Sequence, residues 1–320
     1  MIHCRKWLPR VWILGAFFVC LGLSATALRA ASKGQHSGHK GGKAAHIHTV
    51  FIILMENKNW SDVQGNNLAP YINKTLLRKG SYADQYYNPP GIHPSLPNYL
   101  WLEAGTNFGI LNDNPPSTDH QSTSSHLATL LNNAGITWKA YAENITGTSC
   151  PLTDSYPYAV RHDPFVYFDD VTDTLNSNSA YCIDHIRPYT ELAGDLANNT
   201  VAQYNFIIPN VCDDMHDNCG TDPVQAGDTW LSNAVPPILN SMAYQSGGAL
   251  FITWDEGVGS DGPIGMIALS PLGKGHGYHN SIHYTHGSTL RSIEEIFGLT
   301  PFLGDAANET DLSDLFKSFP

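Results

Sequence analysis

From residue 49 onward, short apolar runs alternate with amphipathic or polar stretches of helical length. Runs at 49–54, 82–87, 136–141, 204–208, 249–254 and 264–269 have the length and the β-branched or aromatic character of strands; stretches at 67–79, 97–104, 124–134, 226–243 and 286–297 fit helices. This alternation predicts an α/β fold, a mostly parallel central β-sheet flanked by helices. Two runs stand out. VFIILMEN (50–57) and ALFITWDEG (249–257) are apolar on both faces, as strands buried on both sides must be, and become polar only at the carboxyl end. Ligands of open α/β sheets bind outside those ends, so Glu56, Asn57, Asp255 and Glu256 can converge on one cation.

At 320 residues the chain has room for one large domain, and no composition break favours two. Residues 1–31 combine a basic start (Arg5, Lys6, Arg10), an apolar stretch and small residues near Ala25, Ala27 and Ala30, the pattern of a secretory signal peptide, with an uncleaved anchor as the competing reading. Residues 32–48 are rich in Gly, Lys and His without apolar periodicity and are expected to be a disordered lead-in, leaving 49–320 as the domain. Removal of residues 1–31 takes away four basic residues and no acids, moving the formal charge from −12 to −16. Such a surface excludes nucleic-acid binding through a basic face. An exported chain would retain Cys150, Cys182, Cys212 and Cys219, enough for two disulfides. Three connectivities are possible; the short Cys212–Cys219 interval favours a local closure, with Cys150–Cys182 as the other bridge. The segment 143–190, rich in Pro, Tyr, Asp and Asn, reads as a stapled surface excursion near the site.

Oxygen ligands alone favour Mg²⁺, Ca²⁺ or Mn²⁺ over Zn²⁺ or Cu²⁺, and such an ion invites an anionic partner. HPSLPNY (93–99) brackets Ser95 with two prolines at the start of a helical stretch, where free backbone N–H groups favour anions and a nearby cation can activate the serine as a nucleophile. Asn98, one turn on, can donate to a phosphoryl oxygen. NFIIPNVCDDMHD (205–217) is a further apolar strand with a polar end, in which Asp214 and His216 are the candidates to face the site. YTHGSTLRSIEEIFGL (284–299) sets His286 ahead of an amphipathic helix whose core face is Leu290, Ile293, Ile296 and Phe297, with Glu294 and Glu295 assigned to solvent or local pairing.

Taken together, HPSLPNY, PNVCDDMHD, TWDEG and the His286 helix closely resemble the phosphoesterase family of the alkaline-phosphatase superfamily, which contains secreted acid phosphatases and bacterial phospholipases C. The likeness runs from about residue 47 to 300 and is nearest to single-domain secreted acid phosphatases acting on phosphoinositides and other monoesters. It implies an alkaline-phosphatase-like core. Glu56, Asn57, Asp255 and Glu256 would hold a divalent metal, Ser95 would be the nucleophile passing through a phosphoserine, and His93, Asn98, Asp214, His216 and His286 would complete the site. In this scheme His216 or His286 assists the leaving group. His162, in Arg161-His162-Asp163-Pro164-Phe165, echoes a family stretch and is a weaker candidate. The loop from His216 to Gly227 departs from the family by extra residues that include Cys219. The expected partner is a small phosphate ester or a phospholipid, without stable membrane insertion once the signal is removed. A phospholipase C-type phosphodiesterase and a catalytically inactive metal- or lipid-binding protein are the alternatives.

Overall fold

The computed structural model describes residues 46–259 and 261–320. The proposed signal peptide and the lead-in up to residue 45 lie outside the described residues. Residues 46–48 belong to the domain: Ile47 is fully buried, and His48 sits 2.8 Å from the Ser246 carbonyl. The described residues fall in one compact unit, Lys43–Pro320. Among them, no helix is long and apolar enough to cross a membrane.

Ten strands run β1 Thr49–Met55, β2 Ser81–Ala83, β3 Tyr86–Tyr87, β4 Trp138–Ala142, β5 Ile186–Pro188, β6 Tyr204–Ile208, β7 Gly248–Trp254, β8 Met266–Leu269, β9 Tyr278–Asn280 and β10 Tyr284–Thr285. Eight form the central sheet in the order β5-β4-β6-β1-β7-β8-β2-β9, with β3 and β10 paired separately. The sheet is parallel except where β8 runs against β7 and β2. Central position explains the composition: every residue of β1 and β7 is buried, so both faces must be apolar. The longer flanking helices are Ser95–Ala104, Pro223–Asn240 and His286–Phe297.

Three further expectations change. The run 82–87 divides between the two sheets as β2 and β3. The segment 143–190 is no surface excursion: Val160, Phe165, Val166, Tyr167 and Phe168 are buried in the core, and the segment ends by adding β5 to the sheet edge. Its polar composition masked an aromatic cluster. Glu294 is fully buried rather than solvent-facing, because its Oε1 accepts the Leu303 N–H at 2.7 Å and so ties the chain beyond the helix back to it. Glu295 pairs locally with Arg291 as expected. Both proposed disulfides are present, Cys150–Cys182 and Cys212–Cys219.

Burial of carboxyls gives the domain a pH signature. Desolvation pushes Glu294 up from 4.5 to about 8 and Asp163 up to about 7. A carboxyl whose pKa is higher folded than unfolded makes the native state bind more protons, so its stabilisation is full below about pH 4 and fades as pH rises through the folded value. Melting temperature is therefore expected to fall between about pH 5 and 8.5, and less steeply in Glu294→Gln. Identical slopes for the two proteins would sink this assignment.

Candidate active site

The register Met55↔Trp254 sets the ends of β1 and β7 side by side, so the following residues, Glu56 and Asp255, are adjacent. The ladder continues past them: the Asp255 N–H donates to the Met55 carbonyl at 2.9 Å, and the Asn57 N–H donates to Asp255 Oδ1 at 2.8 Å. Strand β6 flanks β1 on its other side. Its terminal loop turns so that the Asp214 carbonyl accepts the Glu56 N–H at 2.7 Å. Three neighbouring strand ends thus deliver Glu56, Asp255 and Asp214 to one place.

Ser95 is the first residue of the helix Ser95–Ala104, buried, with its hydroxyl donating to Glu56 Oε2 at 2.9 Å. The same Glu56 oxygen accepts from the Asn57 amide at 2.5 Å. The helix start is not the open anion cradle that the sequence suggests: Pro97 has no N–H, and the Leu96 N–H donates to Asp113 Oδ1 at 3.0 Å. Glu256 turns toward this segment, its Oε2 lying 2.6 Å from His93 Nδ1 and accepting from Asn98 Nδ2 at 3.1 Å. His93 also contacts Asp261 at 2.7 Å. Partial burial disfavours its charge, but the two carboxylates prevail and raise the imidazole above its ordinary value.

His162 occupies the centre. Its ring nitrogens lie 3.2 Å from Glu56 Oε1 and 3.2 Å from Asp214 Oδ2, and its ring stacks on Tyr99 with centroids 5.1 Å apart. Burial pushes this imidazole down to about 4. It pushes Glu56 up to about 8, aided by the charge of Asp255, and Asp214 up to about 8. Asp255 rises well above the carboxylate range through burial and the charge of Glu256. Carboxylates this crowded call for a cation.

Glu56 Oε1, Asp214 Oδ2 and Asp255 Oδ2 are buried without a hydrogen-bond partner. Orphaned hard oxygens of this kind fit a divalent metal of the Mg²⁺, Ca²⁺ or Mn²⁺ class. Among the described residues, no group of three or more His, Cys, Asp or Glu forms a ready cage. Glu256 spends one oxygen on His93 and Asn98, and His162 stands between Glu56 and Asp214.

The two remaining histidines separate. His216 is one-third exposed beside Asp217, and its ring centre is 6.3 Å from that of His162. His286 does not reach the crevice: it is fully buried, its Nε2 2.6 Å from the Asp255 carbonyl and its Nδ1 3.1 Å from the Tyr86 hydroxyl. With both nitrogens engaged it can position the Asp255 tip but not assist a leaving group.

Sequence patterns gave little weight to His162 and none to Tyr99 or Lys58. Lys58 donates to the carbonyls of Asn57 at 2.9 Å and Met215 at 2.8 Å, two non-glycine residues held at φ 46° and 82°. The Met215 side chain is buried against Gly227, where a Cβ would collide with it, and its sulfur accepts from the Trp254 indole. Lys58 thereby clamps the Asp214–His216 turn to the Glu56–Asn57 tip. Losing the clamp in Lys58→Met is expected to lower kcat by about 10–100-fold, the scale of a ~1 Å misplacement. An unchanged kcat would show the turn to be held by Met215 alone.

The sequence matches the Phosphoesterase family over residues 67–300, a span that includes Ser95, Asp214, Asp255 and His286 and excludes Glu56 and Asn57. It is 29% identical over 268 residues to the phosphatidylinositol-3-phosphatase of Mycobacterium tuberculosis, covering 83% of this chain and 82% of that protein. It is 28% identical over 294 residues to an acid phosphatase of Aspergillus fumigatus, covering 88% of this chain but 62% of the relative. The fold is shared with human ectonucleotide pyrophosphatase/phosphodiesterase 5, at TM-score 0.55, 11% identity, and 84% and 100% coverage of the two chains. A Vibrio parahaemolyticus protein of the alkaline phosphatase superfamily gives TM-score 0.53 at 10% identity, covering 85% of this chain and 72% of that one. The chain belongs to the Phosphoesterase family and is a hydrolase of phosphoric esters.

Proposed function

We propose that this protein is an exported acid phosphatase that hydrolyses phosphate monoesters, phosphoinositides among the candidates, with Ser95 as nucleophile. The observation that carries the reading is the Ser95 hydroxyl, 2.9 Å from Glu56 at the head of a helix, beside buried carboxylate oxygens that lack partners. Glu56, Asn57 and Asp255, with Glu256 next to them, would hold a divalent cation. When bound, that ion supplies the positive charge that eases serine deprotonation and stabilises phosphoryl oxygens.

The chain's own groups do the rest. Ser95 Oγ, its proton passed along its hydrogen bond to Glu56 Oε2, would attack phosphorus as the P–O bond to the alcohol breaks, giving a phosphoserine that water then cleaves. His216, the partly exposed imidazole, would give a proton to the departing alkoxide. His93 and Asn98 hold Glu256, while His286 holds the Asp255 backbone. The two disulfides support export to an oxidising compartment.

The test is phosphate release from p-nitrophenyl phosphate and phosphatidylinositol 3-phosphate between about pH 5 and 7.5, the range in which imidazole titrates, with Mg²⁺, Ca²⁺ or Mn²⁺ and with chelator. Turnover that chelator removes and a divalent ion restores is expected. Absence of turnover with every ester and every ion would leave a binding protein.

A further inference from the structure

An ester phosphate must be gripped on its non-bridging oxygens, and almost every nitrogen-bearing side chain around Ser95 is already committed to the protein. Lys58 bonds two carbonyls, His93 lies between two carboxylates, His162 stands between Glu56 and Asp214, His216 pairs with Asp217, and His286 is tied to Asp255 and Tyr86. The helix start offers little, since Leu96 N–H is taken by Asp113 and Pro97 has none.

Arg161 is different. It precedes His162 in the short helix Val160–His162, and its side chain is only 21% exposed. Yet no N–H of its guanidinium hydrogen-bonds to a described residue; its one ionic contact is a loose 3.7 Å from Nε to Asp113 Oδ2. Asp113 is the residue whose other oxygen holds Leu96, next to Ser95. Arg161 is also close enough to Asp214 and His162 for its charge to act on both. A partly buried guanidinium whose N–H donors no described residue takes up is free to meet a ligand. Its planar fork matches two oxygens of a phosphoryl group.

We propose that Arg161 is the phosphate-gripping residue of the site and that Asp113 holds it in readiness, so that Arg161 selects the doubly anionic terminal phosphoryl of a monoester over a diester. This builds on Ser95 as the site of attack. A diester carries one charge fewer and has an ester substituent where a monoester presents a free oxygen, so it gains less from the fork.

Two measurements on the full chain separate this from the reading beneath it. In a Ser95→Ala background, where no turnover occurs, calorimetry with inorganic phosphate is expected to show at least roughly tenfold weaker binding after Arg161→Met and a smaller loss after Arg161→Lys. With Ser95 intact, Arg161→Met is expected to lower kcat/KM for p-nitrophenyl phosphate about 100-fold and for bis-p-nitrophenyl phosphate less than about tenfold. Unchanged phosphate affinity in both variants overturns the proposal, as does an equal fall for both esters accompanied by a lowered melting temperature. If the wild type hydrolyses neither ester, the nucleophile assignment fails while the calorimetry still decides Arg161.

Discussion

Ser95→Ala is expected to reduce turnover of phosphate esters by roughly 10⁴-fold or more, a loss of about 5.5 kcal/mol in transition-state stabilisation. The melting temperature stays close to that of the wild type, because alanine suits the first turn of a helix and Glu56 Oε2 keeps its bond from Asn57. If Ser95 is the bond-forming group, adding Glu56→Gln to Ser95→Ala is expected to cost little more than Ser95→Ala alone. Initial rates over a wide enzyme range, with melting curves on the same samples, check both statements. Residual activity above about one-tenth of wild type would remove Ser95 from the chemistry and point to a water attacking directly.

Asp255→Asn separates charge from shape. Its Oδ1 receives the Asn57 N–H and its backbone joins the β1–β7 ladder, and an asparagine can keep both. What disappears is the negative charge beside Glu56 and Glu256 that a cation would neutralise. Turnover is expected to fall about 10³-fold, and added Mg²⁺, Ca²⁺ or Mn²⁺ is expected to raise the melting temperature of the wild type but not of the variant. In chelator the order reverses. Burial and the charge of Glu256 hold the Asp255 carboxyl well above its unfolded pKa, so its contribution to stability is lost as pH rises from the unfolded value. At about pH 7.5, far above the unfolded carboxylate value, the chelated variant should therefore melt above the chelated wild type. A lower melting point, together with an intact response to cations, would place the metal elsewhere.

The polar strand ends were legible in sequence because β1 and β7 are buried on both faces, so any charge they carry must fall at a tip. The pairing of β1 with β7, which makes Glu56 and Asp255 neighbours, is long-range and left no local trace. Ser95 could be read from its prolines, but the loss of the helix-start donors depended on Asp113, outside the motif. His162 and Arg161 were obscured because their segment looks like a polar loop, while its aromatic residues pack into the core. His286 falls near the expected strand end but holds a backbone carbonyl instead of serving a leaving group, because periodicity locates a helix entrance without revealing which acceptors await a ring buried there. Glu294 shows the same limit, since its partner Leu303 lies beyond the helix.

The two disulfides divide the centre in space. Cys150–Cys182 closes a ring that contains Arg161 and His162, and Cys212–Cys219 closes one that contains Asp214 and His216. Glu56, Ser95 and Asp255 sit on the sheet and its adjoining helix, outside either ring. Strand pairing sets Glu56 beside Asp255 whatever the state of the cysteines, whereas oxidation adds a covalent closure to the segments carrying Arg161, His162, Asp214 and His216, which core packing and Lys58 also hold. A reductant is then expected to loosen the two closed segments more than the paired strand tips.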